Sequence, residues 1–386
     1  MRYFLLAAAG SVAVVLLGWA GCANAPSTGA EIQRIATLRT PRAAHTTTAL
    51  SDGQLLIAGG MGAGGGSLAS TERLDAATGE ITSGASLNEP RVSHTATRLP
   101  DGRIVLAGGY NGSYLASVET FDPASGAFGN GGRLVEGRSG HIATLLPDGR
   151  ILLAGGVGRD WTFLSSAEVF DPSTGRSAAV GSMSLARESH TATLLEDGSV
   201  LIVGGHRDRR EAMVVHASAE IFDPEAESFR PAGELQTARH KHDAIRLADG
   251  RVLVLGGADR TDRLYYATTE IYDPARGTFA PGPTMRNTRY KIAGTAVLLA
   301  DGSVLVPTGA RTAEVLDAEI FTFREISGSF PDAYHFATAT PLASGDVAIV
   351  GGYKFGNENT NGIWRFRASS PRARPGGEAS GGQGKP

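Results

Sequence analysis

Arg and His recur three residues apart along this chain: Arg42 with His45, Arg91 with His94, Arg138 with His141, Arg187 with His190, and Arg239 with His242. Arg289 keeps the Arg with Ile292 in place of His, and His335 keeps the His with Asp332 in place of Arg. Glu recurs downstream as Glu72, Glu119, Glu168, Glu220 and Glu270, with Glu314 or Glu319 as the sixth. Neutral imidazoles can hold zinc or copper, but only as a tight cluster with ligand bonds of about 2 Å. The alternative is that each Arg, His and Glu satisfies buried backbone groups, since a residue present in every repeat answers a packing problem present in every repeat. In the last copy Arg and Glu vanish together, as a pair inside one unit would. The residues are therefore read as structural, and no metal or other cofactor is expected.

Local catalytic motifs are absent. The chain has no Gly-x-Ser-x-Gly elbow, no His-Glu-x-x-His and no Gly-x-x-x-x-Gly-Lys loop. Its one cysteine is Cys22, which leaves no intramolecular disulfide and no thiolate cluster. A net charge of −3 lacks the basic excess of a generic nucleic-acid binder, so none is expected as a partner.

The elements that position these residues follow from a longer repeat. Gly doublets at 59–60, 108–109, 155–156, 204–205, 256–257 and 351–352, with Thr308-Gly309 as a degenerate copy, recur about every 50 residues, a propeller-like period. Each copy reads as four strands: a His-Thr-Ala-Thr-like strand, an Asp-Gly hairpin, an apolar strand ending in the doublet, then Ala-Glu-Ile-Phe-Asp and a short outer strand. Pro after that Asp, as at Pro224, ends the third strand. This pattern resembles the Kelch family and the galactose-oxidase-like propellers. The resemblance implies an all-β, seven-bladed Kelch-type β-propeller over residues 31–367. The last copy lacks an outer strand, and residues 32–42 align without gaps to 229–239, so the N-terminal strand is expected to close the last blade. The copper-radical chemistry of galactose oxidase needs a Cys cross-linked to Tyr, and Cys22 is the chain's single Cys.

Residues 1–21 combine Arg2, an apolar run and small residues before Cys22, the pattern of an export signal. Ala20-Gly21-Cys22 resembles a bacterial lipobox, with Trp19 departing from it. Lipidation of Cys22 is expected, with cleavage after Ala25 as the alternative. That implies the bacterial cell envelope, with membrane attachment through a lipid alone and otherwise a periplasmic or secreted protein. Residues 22–30 read as a linker and 368–386 as a disordered tail rich in Gly, Ser and Pro.

Alternating strands place the doublet loops and the blade-to-blade connections on one face, and variation concentrates there. Its loops hold Tyr110, Tyr114, Trp161, Arg207, Arg209, Arg210, Tyr265, Tyr266 and Tyr353, residue types enriched at binding centres. The expected function is a monomeric binding scaffold, not an enzyme, that recognises a protein or glycan through this face. The alternative is a propeller enzyme acting on a carbohydrate, similar to Kelch-type sialic acid mutarotases. A non-repeated polar constellation at the channel mouth would separate the two, and no singular pair is evident along the chain.

Overall fold

The computed structural model describes residues 30–356 and 358–368. The export signal, Cys22 and residues 369–386 lie outside them. Blade IV shows the common unit: Thr191–Leu194, Val200–Val203, Ser218–Asp223 and Ser228–Glu234 run antiparallel in that order. Seven such blades follow in sequence, blades II and III also touching through one parallel bridge between Arg133 and Arg176.

The second strand explains its own composition. Ile104–Ala107, Ile151–Ala154, Val200–Val203 and Val252–Leu255 are buried at every position. Each is covered on both faces by neighbouring blades, so it reads as a continuous apolar run. The core is accordingly a ring of inter-blade layers. Leu201, Val203 and Ile221 of blade IV, for instance, meet Val252, Val254 and Tyr272 of blade V.

The doublets link the blades. The N–H of the second glycine donates to the carbonyl at the next blade's Arg position: Gly60 to Arg91, Gly109 to Arg138, Gly156 to Arg187, Gly205 to Arg239 and Gly257 to Arg289. Gly309 to Tyr334 and Gly352 to Arg42 complete a circle of seven. A Cβ on Gly59, at φ +61°, would lie 2.7 Å from the Arg91 carbonyl oxygen and 2.9 Å from the His94 ring. Only glycine permits both that dihedral and that approach.

Blade VII takes Thr338–Pro341, Val347–Val350 and Gly362–Arg367 from one end of the chain and Glu31–Thr37 from the other. Ile32 stands opposite Phe366, as Phe229 stands opposite Phe222 in blade IV. The expected closure is therefore present in the expected register.

Each repeated Arg is buried and pairs with its own blade's Glu, at 2.7–3.0 Å in blades I to VI. Arg42 also donates to the Gly59 and Ser70 carbonyls, while Glu72 accepts from the N–H groups of Arg39 and Thr40. The pair thus pins the segment entering the blade. Glu314 is the sixth member, bonded to Arg289, and Glu319 lies in an exposed turn. The repeated His rings clamp adjacent blades. Nε2 of His94, His141 and His242 lies 3.0–3.2 Å from the Thr46, Thr95 and Thr191 hydroxyls, and His45 is 3.3 Å from Thr338. His190 lacks this bond because blade III carries Ile142 at the Thr position.

The seventh copy departs from the sequence register. Gly309 donates to Tyr334, and Thr338 opens the first strand as Thr46 does in blade I. Tyr334 therefore occupies the Arg position and Ala337 the His position. Trp364, opposite Ile349, stands where Glu72 stands opposite Ile57. An aromatic pair with centroids 4.8 Å apart replaces the ion pair. His335 is not part of the structural repeat, and Asp332 is not at the Arg position. The copy lacks the Arg and Glu that would have marked its register.

Candidate functional site at the channel mouth

Between the Arg and His positions of each blade the chain turns inward through a left-handed residue. These are Ala44, Ser93, Gly140, Ser189, Lys241, Lys291 and Phe336, all with φ between +49° and +63°. Their backbones form an inner ring. Ser93 donates to Ala44, Gly140 to Ser93, Lys241 to Ser189, Lys291 to Lys241, Phe336 to Lys291 and Ala44 to Phe336. In six blades the residue before the left-handed one faces the residue after a doublet: Ala43 with Met61, Val92 with Tyr110, Ser139 with Val157, Glu188 with His206, His240 with Ala258 and His335 with Tyr353.

The repeat supplies this frame and leaves its side chains free to differ. Blades I to III contribute Ala, Val, Ser, Gly, Met and Tyr, whereas blades IV to VII contribute Glu188, His206, His240, Lys241, Tyr290, Lys291, His335 and Tyr353. The titratable groups form one connected arc. His206 Nδ1 and His240 Nδ1 are hydrogen-bonded at 3.1 Å, and His240 Nε2 lies 3.0 Å from Asp262 Oδ1. Lys241 Nζ donates to Asp262 Oδ2 at 2.8 Å and to the Tyr290 hydroxyl at 3.1 Å. Lys291 Nζ donates to the Tyr353 hydroxyl and sits 4.8 Å from the Tyr290 ring centroid. His335 Nδ1 bonds the Tyr290 carbonyl at 3.0 Å, and Tyr265 stacks on Tyr290 with centroids 4.6 Å apart. At the other end Glu188 bonds Arg209 at 3.2 Å.

Burial and neighbouring charges shift these groups in different directions. Glu188 is raised above the usual carboxyl range by burial, against the pull of Arg209 and Lys241. Lys291 is lowered to about 8 by burial and by the Lys241 ammonium. Burial, together with Asp262 and Tyr265, pushes Tyr353 up to about 12, and Tyr290 is raised by burial and Asp262. Burial works against ionisation of Asp262, but bonds from His240 and Lys241 hold it well below the usual range. His206 is lowered to about 3 by burial and then by His240. Near neutral pH the arc thus offers an amine that titrates near 8, phenol donors and a fixed carboxylate, with the raised Glu188 carboxyl at its far end. Raising an acid and lowering a base in one cleft is how proton transfer is tuned.

The anticipated binding residues separate into four groups. Tyr110, Tyr114 and Trp161 form an aromatic cluster with centroids 5.1–6.3 Å apart, and Arg209 lies over Trp161 and Phe163. Tyr265 and Tyr353 belong to the arc. Arg207 lines an adjoining cleft and Arg210 is exposed on a left-handed turn. Tyr266 packs against buried Arg239 in the structural layer instead of facing the mouth. The residues without an anticipated role are Glu188, His206, His240, Lys241, Asp262, Tyr290 and Lys291. For all but His206 and Asp262 the signal was the pair of positions between Arg and His, where small residues in early copies give way to His-Lys and Tyr-Lys. The repeated His residues considered for a metal are buried, four of them are separately bonded to Thr, and burial lowers His45, His94, His141, His190 and His242 far below the usual imidazole range. Among the described residues no three His, Cys, Asp or Glu side chains are grouped to hold a metal ion.

Comparison with known proteins agrees with this architecture. A Kelch motif matches residues 140–184. No curated protein matches the chain. A solved structure described as a novel fungal alcohol oxidase with catalytic diversity among the AA5 family, in complex with copper, is 17% identical. It aligns over 87% of this chain and 75% of its own with a TM-score of 0.67, a likeness of fold. Among the described residues no group of three His, Cys, Asp or Glu side chains is placed to hold such an ion. The expectation that the chain is not an enzyme is overturned. It rested on missing local motifs, yet an oxidase is built on this same fold, and the acid–base groups here come from separate blades where no local motif can record them. The chain shares the Kelch-like β-propeller architecture.

Proposed function

We propose that the protein is a propeller enzyme acting on a carbohydrate by general acid–base catalysis at the channel mouth. The observation that carries this reading is the non-repeated arc from His206 through Asp262 to Lys291 and Tyr353, set into an otherwise repeated frame. The reaction it suits best is anomer interconversion. Neutral Lys291 takes the anomeric hydroxyl proton, a protonated neighbour donates to the ring oxygen, and the bond between anomeric carbon and ring oxygen breaks. The open carbonyl form turns and recloses with the protons returned. The step needs no oxidant or cofactor. Lys241 and Asp262 position the donors, and Tyr265 offers an apolar face to the ring. We further propose an envelope location, supported by the leader-like residues 1–21 and Cys22.

The test is NMR exchange spectroscopy on freshly dissolved reducing sugars and uronic acids at pH 8. At least one sugar should interconvert faster with protein, and Lys291→Met should slow that rate about 100-fold or more, the low end for loss of a general base. Unchanged exchange for every sugar would reject the reading.

A further inference from the structure

Beside the mouth, the loops of blades III and IV flank an open cleft of about 480 Å³ that the arc does not use. Its size lies in the range of small-ligand sites. Trp161 forms its wall and is 59% exposed, the most exposed aromatic but one among the described residues. Such exposure is not a default of the loop. Asp160 and Trp161 are consecutive left-handed residues at φ +55° and +61°, and Asp208 across the cleft is at +61°. Left-handed dihedrals at bulky residues are unfavourable and persist where the surroundings impose them. Here they hold an indole outward in place of letting it pack on its own blade.

The platform is also tied to the mouth. The Arg209 guanidinium lies 5.0 Å from the Trp161 centroid and 5.4 Å from that of Phe163 while bonding Glu188. Phe163 in turn meets His206 at 5.6 Å. Beneath the platform, the buried Tyr114 hydroxyl has no hydrogen-bond partner among the described residues.

We propose that this cleft is a second sugar subsite, so that the substrate is an oligosaccharide whose reducing end enters the mouth while its next ring stacks on Trp161. The proposal rests on the carbohydrate reading above. A flat apolar wall edged by Asp160, Thr162, Arg207 and Asp208 matches a pyranose, which presents C–H groups on its face and hydroxyls around its rim. A protein partner would need about 800 Å² of complementary surface, and this cleft offers one indole among charged side chains.

Maltotriose, cellotriose, chitotriose and trigalacturonate, each beside its monosaccharide, provide the probes. Trp364 is buried, so Trp161 should dominate ligand-induced changes in the folded propeller's indole emission. At least one trisaccharide should change that emission and show a KM about tenfold or more below its monosaccharide. Trp161→Ala should abolish both effects and leave monosaccharide turnover unchanged, while Trp161→Phe restores part of the preference. Equal handling of tri- and monosaccharides by wild type and Trp161→Ala overturns the subsite with the mouth chemistry intact. No emission change and no preference with any trisaccharide also overturns it. Emission changes without turnover of any sugar would instead reject the catalytic reading and keep the subsite.

Discussion

Lys291 is held between two opposing demands. Its position on the inner ring points it toward the opening, yet burial against Tyr290, Phe336 and Tyr353 disfavours its charge. A lysine so placed changes protonation near pH 8, where an exposed one would not. The rate should therefore rise as pH increases through about 8, and Lys291→Arg should flatten that limb because guanidinium stays charged. A pH–rate profile of the two proteins checks this. Individual side chains at the mouth were poorly legible in the sequence for a physical reason. His240 and Lys241 stand between Arg239 and His242, and Tyr290 and Lys291 follow Arg289, so each looked like variation inside a structural motif. What makes them a site is the rotation that brings four blades to one opening, a relation absent from local spacing.

Within elements, the same slots are filled by different solutions. Blade V carries Asp243 at the Thr position, and blade VI answers with Ile292 in place of His. Asp243 accepts N–H bonds from Ala244, Gly294, Thr295 and Ala296 at 2.7–2.9 Å. It thereby draws residues 294–296 out of the first strand, which is reduced to Val297–Leu298. This clamp lies two residues after Lys241 and three after Lys291. Asp243→Ala leaves buried donors unpaired, at about 1–3 kcal/mol each. It should lower stability by at least about 2 kcal/mol in denaturant unfolding and blur the pH–rate limb assigned to Lys291. The ion pairs give a second expectation. Glu168→Ala strands buried Arg138 and should cost about 3–5 kcal/mol. Exposed pairs such as Arg103–Asp101 should contribute under about 1 kcal/mol. These elements were readable from the sequence because copies could be compared, and Arg with Glu disappearing together identified them as partners. His335 was misplaced because Tyr334 and Trp364 replaced both markers.

For the whole molecule, the buried histidines set an acid limit. His45 and His190 are lowered to about 3, and His94, His141 and His242 are also lowered. Unfolded imidazoles protonate near 6.5, so the unfolded chain binds more protons between about 3 and 6.5 and stability falls as pH drops through that window. Asp243, raised to about 6, and Glu188, also raised, work in the opposite direction but are fewer. The melting temperature should be lower at pH 5 than at pH 7.5, and scanning calorimetry at both values measures the difference.

Blade VII, assembled from Glu31–Thr37 and Gly362–Arg367, also orders events in time. Hairpins within the other blades can form as soon as their residues are available, but this pairing must wait for nearly the entire chain. Closing so long a loop is entropically costly and slow. The nascent protein is therefore an open arc with two exposed edges, and its last contact locks all the others at once. Until then the mouth is incomplete, since Phe336 and Tyr353 belong to that final blade. Acid–base competence should consequently appear late in refolding, in step with burial of Trp364 and not with formation of the first sheets.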